Sequence, residues 1–157
     1  MVIHRVQVQS LYFGTFECES SSEIHIPYGL PGFENERSLI AVEIPEQHPL
    51  VYLQSGTNPD LCFLSLPAQV IQPGFQLELS AEERIALGFD QREALIPGRN
   101  LLVLALLFPC DSSLQVNLAA PLIVHIGKMT GVQCLIENAP AQPRMCLQDD
   151  GKWVPVC

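Results

Sequence analysis

Residues 101–108 read Leu-Leu-Val-Leu-Ala-Leu-Leu-Phe, a run without a single polar side chain. A strand with one face in water alternates apolar and polar residues, whereas a continuous apolar run is typical of a strand buried on both faces. Pro97-Gly98 precedes the run and Pro109 follows it, so turn-forming residues bound it at both ends. The run therefore predicts a central strand of a buried sheet.

On both sides of this run, apolar residues recur with the period of two that is typical of strands. Further short strands are predicted at residues 6–9, 23–26, 50–54, 61–66, 75–79, 114–118, 122–126 and 132–136. Turn residues separate them, as at Pro73-Gly74 and at residues 127–131. Many short strands with turns between them are typical of an antiparallel barrel or sandwich. We expect a mainly β, antiparallel, barrel-like single domain with one or two short helices.

One helix is predicted at residues 80–87. Ser80 and Glu83 have the spacing of a capping box, in which each side chain accepts a hydrogen bond from the other residue's backbone N–H. Gly88 can adopt the left-handed conformation that ends many helices. A helix of about two turns needs tertiary packing to be stable.

The chain is acidic, with 17 acidic against 8 basic side chains and a formal net charge of −9. The basic residues are scattered singly, and phosphate backbones require clustered Lys and Arg, so direct nucleic-acid binding is disfavoured. Two interpretations of the acidity stay open: it attracts a basic partner, or it only keeps the protein soluble.

The six cysteines stand far apart without C-x-x-C spacing, which fits free thiols in a reducing compartment. Met1 to Val8 is too polar for a signal peptide, and the run at residues 101–108 is too short for a membrane span. We therefore expect a cytoplasmic protein without membrane contact. We further expect a domain at residues 1–138 and a C-terminal extension at 139–157, which begins with a Pro-containing linker. Asp150-Gly151 predicts a small hairpin there, with a loose tail as the alternative.

Motifs that would indicate catalysis or cofactor binding are missing. The chain has no G-x-S-x-G nucleophile elbow, no Gly-rich phosphate loop and no H-E-x-x-H. Its four histidines are isolated, and its acidic residues have the positions expected of solvated turns and strand edges. We expect no catalytic residue, no metal and no cofactor.

Residues 26–34 read Ile-Pro-Tyr-Gly-Leu-Pro-Gly-Phe-Glu and predict a stiff, tightly bent loop. Pro27 and Pro31 restrict φ, whereas Gly29 and Gly32 can adopt positive φ. Phe33 supplies an apolar anchor for the loop.

This loop is similar to the F-P-x-G-L-P-G-F-E signature of the FliW family, with Ile26 in place of the usual Phe. Other segments resemble family motifs in the same order. They are Leu53-Gln54-Ser55 for L-Q-S, Pro73-Gly74-Phe75 at the place of P-D-Y, Leu87-Gly88 for L-G, and residues 116–124 for V-N-L-x-A-P-I-V-I, with His125 where Asn is common. The resemblance covers residues 23–136, and the segment from residue 140 runs past the usual family end.

The resemblance implies a compact β-barrel-like fold and a non-enzymatic regulator of flagellum biogenesis. It implies two protein partners, the RNA-binding translational repressor CsrA and flagellin, of which flagellin competes with CsrA. We expect the free protein to be monomeric. The residues for which a protein-binding role is predicted are Gly29, Leu30, Pro31, Gly32, Phe33, Glu34, Gln54, Ser55, Phe75 and Asn117.

An alternative, purely structural role is open for Gly29, Pro31, Gly32, Phe33, Gln54, Ser55 and Asn117. Gly and Pro shape the loop, Gln54 and Ser55 cap a turn, and Asn117 satisfies local backbone groups. Two alternative functions also stay open. One is a small β-barrel enzyme or ligand carrier with an apolar pocket, and the other is a structural accessory domain.

Overall fold

The described residues, 4–110, 113–136 and 144–156, form twelve strands and two short α-helices in the computed structural model. The strands are β1 (Arg5–Ser10), β2 (Gly14–Glu19), β3 (Glu23–His25), β4 (Ser38–Val42), β5 (Val51–Ser55), β6 (Cys62–Pro67), β7 (Leu101–Cys110), β8 (Ser113–Asn117), β9 (Leu122–His125), β10 (Thr130–Gln133), β11 (Arg144–Leu147) and β12 (Trp153–Pro155). The helices are α1 (Ala68–Ile71) and α2 (Ala81–Leu87), with 3-10 turns at Ser20–Ser22 and Pro45–Gln47.

Strand β7 is the element that closes the barrel. Its middle pairs with β6, and its N-terminal part pairs with β9 from Leu101↔His125 to Leu104↔Leu122. Following the pairings in the order β7, β6, β5, β4, β3, β10, β9 returns to β7, which makes a closed barrel of seven strands. The C-terminal part of β7 pairs instead with β8, which leaves the barrel. The predicted barrel is confirmed, and one of its pairings, β3 with β10, is parallel.

The two faces of β7 contribute to two different hydrophobic cores. Leu104 points into the barrel interior, where it packs with Leu39, Leu53 and Leu122. The side chains of Val103 and Ala105 point to the other face and pack outside the barrel. We call the cluster there the outer core, and it also includes residues of α1, α2 and the segment after α1. Burial on both faces is therefore confirmed for the stretch 103–105 and for Leu101, whereas Leu102 and residues 106–108 are only half-buried.

Helix α2 begins and ends as its sequence predicts. Ser80 Oγ accepts from the Glu83 N–H at 3.1 Å, and Glu83 Oε1 accepts from the Ser80 N–H at 2.8 Å. Gly88 ends the helix with φ 88°. Leu87, buried on the outer core, anchors it.

The predicted strand at residues 75–79 is wrong, because this segment belongs to none of the strands. Phe75 is buried, and Leu77 and Leu79 pack against the outer core. Their alternation thus reflects one-sided burial and not pairing in a sheet. Strands β2 and β4 and helix α1 were not predicted.

The C-terminal residues form a hairpin that extends the sheet. β11 pairs with β8 and with β12, and the connecting turn contains Asp150 and Gly151, the latter with φ 82°. Met145 and Trp153 pack against the outer core. The linker expected at residues 139–143 lies outside the described residues, so the domain boundary at residue 138 stays a prediction.

Candidate protein-binding surface

The loop at residues 26–34 is bent by two left-handed glycines. Gly29 has φ 64° and Gly32 has φ 83°. A Cβ atom on Gly29 would lie 2.6 Å from the Cα and carbonyl oxygen of Glu34, whereas one on Gly32 would meet no atom within 4 Å. Leu30 and Phe33 exchange backbone hydrogen bonds of 3.3 and 2.7 Å across the bend. The predicted tight bend is therefore confirmed. Position 29 has no room for a Cβ atom, because the backbone of Glu34 lies too close.

Glu34 and Arg37 fasten the end of this loop. Glu34 Oε1 accepts from the Gly32 N–H at 3.1 Å. The N–H groups of Glu34 itself and of Gly32 hold the pKa of this exposed carboxyl below its usual range. The Arg37 guanidinium donates to the carbonyl oxygens of Glu34 at 2.8 Å and Pro27 at 2.6 Å. Glu34 thus remains an ionised side chain that also caps the turn.

An apolar cleft of about 290 Å³ lies at the end of the barrel where the chain passes from β8 to β9. We call it the barrel-end cleft. Leu30 is buried, while Phe33 is 41% exposed and meets the Phe63 ring edge-on at 5.1 Å. The residues that line the barrel-end cleft are Leu30, Pro31, Phe33, Phe63, Leu106, Leu107, Phe108, Asn117, Ala120 and Gln133.

Four of the predicted site residues therefore share one surface. Leu30, Pro31 and Phe33 come from the loop, and Asn117 comes from the end of β8. Asn117 Oδ1 also accepts from the Ala119 N–H at 3.0 Å, so it shapes the turn where the chain leaves β8. The structural role weighed from the sequence is therefore confirmed for Asn117, and a partner contact by this residue stays a prediction.

Gln54 and Ser55 are not on the surface, because both are fully buried. Gln54 Oε1 accepts from Ser10 Oγ at 2.7 Å, and its Nε2 lies within 3.1–3.4 Å of the carbonyl oxygens of Ser55, Asn58, Pro59 and Leu61. Ser55 Oγ donates to Glu36 and accepts from the Asn58 N–H. These side chains hold the turn between β5 and β6, so a direct partner contact by them does not fit this structure.

Phe75 is also placed differently from its prediction. It is 7% exposed and belongs to the outer core, together with residues such as Ile71 and Leu87. It does not line the barrel-end cleft. Its apolar side chain supports the fold, because the segment after α1 packs against the outside of the barrel.

Several cleft residues were missed by sequence reasoning. Leu106 and Phe108 belong to the apolar run that was interpreted as fully buried, and Phe63 to a strand of similar character. They are accessible to solvent because the C-terminal part of β7 pairs with β8 outside the barrel, and because the loop at residues 26–34 lies beside them without covering them. Gln133, a polar residue directly after an apolar strand position, was the one local signal available.

Groups with chemical reactivity are dispersed in the described part of the chain. Residues 4–110, 113–136 and 144–156 contain no cluster of three or more His, Cys, Asp or Glu side chains suited to a metal ion. Burial raises the pKa of the Cys134 thiol to about 12, with the Glu83 carboxylate as a second cause. Burial also raises the pKa values of Cys18 and Cys62, so these thiols are protonated and weakly nucleophilic at neutral pH.

A sequence model of the family described as FliW protein matches residues 7–146. The chain is a member of the FliW family. The match extends beyond residues 23–136, whose motifs resemble the family, because it begins in β1 and ends at Cys146 in β11. FliW membership thus includes the N-terminal hairpin and the first strand of the C-terminal hairpin.

Relatives and a solved structure agree with FliW membership. The flagellar assembly factor FliW of Syntrophomonas wolfei is 33% identical over 135 residues, which cover 85% of this chain and 83% of that protein. The flagellar assembly factor FliW of Geotalea uraniireducens is 31% identical over 134 residues, with 85% and 78% covered. The crystal structure of a flagellar assembly factor FliW superposes with a TM-score of 0.72 over 85% of this chain and 91% of that one, at 21% identity, and shares the fold.

Helices make a minor contribution to this FliW-family structure. The longer of the two α-helices has seven residues, and in the described ranges no helix has the length and apolarity needed to cross a bilayer.

Proposed function

We propose that this FliW-family protein regulates flagellum biogenesis by binding two proteins, the translational repressor CsrA and flagellin. Binding of CsrA relieves repression of flagellin synthesis, and flagellin competes for the regulator, which couples translation to assembly. The protein acts by binding and not by catalysis, in the cytoplasm, and is monomeric when no partner is bound. This proposal goes further than family membership, because the names of the relatives specify flagellar assembly without a partner.

The barrel-end cleft is the observation that carries the proposal. Its lining is mainly apolar, and its three aromatic residues come from the loop (Phe33) and from strands β6 (Phe63) and β7 (Phe108). An amphipathic helix docks in such a groove through apolar side chains at i, i+3, i+4 and i+7. A terminal amphipathic helix of flagellin is the partner segment that we assign to this cleft.

Charge supports a basic partner. Residues 11–64 contain eight acidic side chains and one basic side chain, Arg37. The guanidinium of Arg37 is engaged with two backbone carbonyl oxygens of its own loop. The negative charge of this segment attracts a basic RNA-binding protein such as CsrA and raises the rate of encounter.

The ligand-carrier alternative is less well supported. A carrier of the barrel type holds its ligand inside the barrel. Here the barrel interior packs nine buried apolar side chains, including Leu39, Leu53 and Leu104. The barrel-end cleft, by contrast, lies outside this packed interior and is open to solvent.

Calorimetric titration with CsrA and flagellin from the same organism, in separate runs at physiological salt, tests the proposal. Saturable binding of each partner is expected, together with displacement of CsrA by flagellin. If neither partner binds by calorimetry and size exclusion, the proposal fails. The family fold would then serve as an accessory domain or a carrier.

A matched pair of variants locates flagellin binding. Phe33→Ala removes an aromatic side chain from the cleft, and we expect flagellin affinity to fall about tenfold, equivalent to about 1.4 kcal/mol. Ile85→Ala removes a side chain that is 71% exposed on α2, outside the cleft, and should leave the affinity unchanged. Equal affinities for both variants, with unchanged melting temperatures, would refute the assignment of flagellin to the cleft.

A further inference from the structure

A second groove lies on the outer side of the barrel, between the β1–β2 hairpin and strands β5 and β6. We call it the aromatic groove. The hairpin turn contributes Tyr12 and Phe13, and β5 contributes Tyr52. Ile44, Cys62 and Leu64 complete its apolar surface.

A ring contact and two hydrogen bonds join the hairpin turn to β5 and to the β5–β6 turn. Phe13 meets the Tyr52 ring edge-on, with centroids 5.2 Å apart and an interplanar angle of 79°. The Tyr12 hydroxyl donates to the carbonyl oxygen of Asp60 at 3.1 Å, and the Leu11 N–H donates to the carbonyl oxygen of Pro59 at 2.9 Å. The hairpin turn is thus attached to the β5–β6 turn, while Tyr12 stays 60% exposed.

The chain segments that form the groove are acidic. Glu43 and Glu46 each adjoin a groove residue in sequence, and Asp60 is the residue whose carbonyl binds Tyr12. All three are exposed. Residues 11–64 supply only Arg37 as a basic side chain, and it is engaged at the other loop. The groove is therefore lined by apolar and aromatic side chains, and it belongs to a segment of the chain with a strong excess of negative charge.

We propose that the aromatic groove binds an extended, arginine-bearing peptide segment of a partner protein. A guanidinium is planar and weakly hydrated, so it stacks on an aromatic face more readily than a lysine ammonium does. The exposed Tyr12 ring provides that platform, and the negative charge of residues 11–64 favours a positively charged ligand. Apolar side chains on either side of the arginine contact Ile44 and Leu64.

The aromatic groove is separate from the barrel-end cleft. Phe63 lines the cleft, whereas its neighbours Cys62 and Leu64 line the groove. Successive side chains of a strand point to opposite faces, so β6 presents one surface to each side. A ligand in the groove therefore leaves the cleft accessible, and this inference is independent of where flagellin binds.

The test uses the acetylated and amidated heptapeptide Gly-Pro-Leu-Arg-Leu-Pro-Gly, titrated into the isotope-labelled full chain and followed by NMR. Analogues carry citrulline, which has the same shape without the charge, or lysine in place of arginine. The expected affinity order is arginine, then lysine, then citrulline. Shifts are expected at Tyr12, Ile44 and Tyr52, and raising the salt from about 0.05 to about 0.5 M should weaken only the charged peptides.

Protein variants separate the ring from its hydroxyl. Tyr12→Leu should weaken the arginine peptide about two- to fivefold, the fold-change expected for one exposed cation–π contact. Tyr12→Phe keeps the ring and should bind like the unmodified protein. Tyr28→Leu alters a tyrosine that is 65% exposed outside the groove and should have no effect.

Three outcomes would overturn the proposal. They are equal binding of the arginine and citrulline peptides, shifts concentrated at cleft residues such as Phe33, and the absence of saturable shifts for any peptide.

Discussion

Replacing Gly29 with alanine should destabilise the protein more than the same change at Gly32, although both glycines have positive φ in one loop. An L-residue in this conformation costs about 1–2 kcal/mol, and that contribution applies to both variants. At Gly32 the new methyl group would meet no atom within 4 Å, so the backbone contribution is the whole effect. At Gly29 the methyl group would lie 2.6 Å from the backbone of Glu34, closer than van der Waals contact allows.

The Glu34 backbone cannot yield as a flexible side chain would, because the chain there is fastened by Arg37 and by the loop's own hydrogen bonds. Overpacking of this kind adds about 1–3 kcal/mol. We therefore expect Gly29→Ala to lower the free energy of unfolding by about 2–5 kcal/mol, and Gly32→Ala by about 1–2 kcal/mol.

Urea unfolding at equilibrium measures both values, with the fluorescence of Trp153, the single tryptophan, as one probe and far-UV circular dichroism as the other. For a chain of this size, each kcal/mol corresponds to a melting-temperature change of about 2–4 °C. If the two variants are equally stable within about 0.5 kcal/mol, close backbone approach is not what requires glycine at position 29.

Further predictions concern single buried or capping side chains. Ser80→Ala removes one half of the capping box with Glu83 and should cost about 1 kcal/mol in urea unfolding; an unchanged midpoint would show that the cap is not stabilising. Gln54→Met keeps the size but leaves the Ser10 hydroxyl without its acceptor and removes the amide's hydrogen bonds to carbonyl groups that keep backbone partners. We expect a loss of about 2–3 kcal/mol, and unchanged stability would contradict this reasoning. Burial raises the pKa of the Cys134 thiol from its usual value of 9.0 to about 12. Between these pH values the unfolded chain releases a proton that the folded chain retains, so the free energy of unfolding falls as pH rises. Cys134→Ala should make the decline shallower by up to about 1.4 kcal/mol per pH unit, and parallel pH profiles for the two proteins would contradict the shift.

The sequence predicted the elements that depend on neighbouring residues. The capping box at Ser80 and the helix end at Gly88 involve residues three to five positions apart, and both are present as predicted. The bend at Gly29 and Gly32 is likewise local. These features could be inferred because backbone propensity and short-range hydrogen bonds determine them.

The composition of the candidate site was only partly predictable. Phe33 and Asn117 were singled out separately by their motifs, and the structure brings both to one cleft. Gln54 was singled out in the same way, yet it is fully buried beneath the N-terminal hairpin. A motif indicates that a residue type matters at a position, but not whether its side chain points to a partner or to the protein's own backbone.

The sequence by itself determined the strand-rich class, the helix with its caps, the bent loop and the acidic charge, because each follows from residue type and short-range spacing. Tertiary structure decided the rest. Whether residues 106–108 are covered depends on the C-terminal part of β7 pairing with β8 outside the barrel and on the loop that carries Leu30. The parallel pairing of β3 with β10 and the burial of Gln54 also join segments far apart in the chain. Such contacts depend on how the closed barrel brings distant segments together, and the period of two is the same on a covered strand face and on an open one.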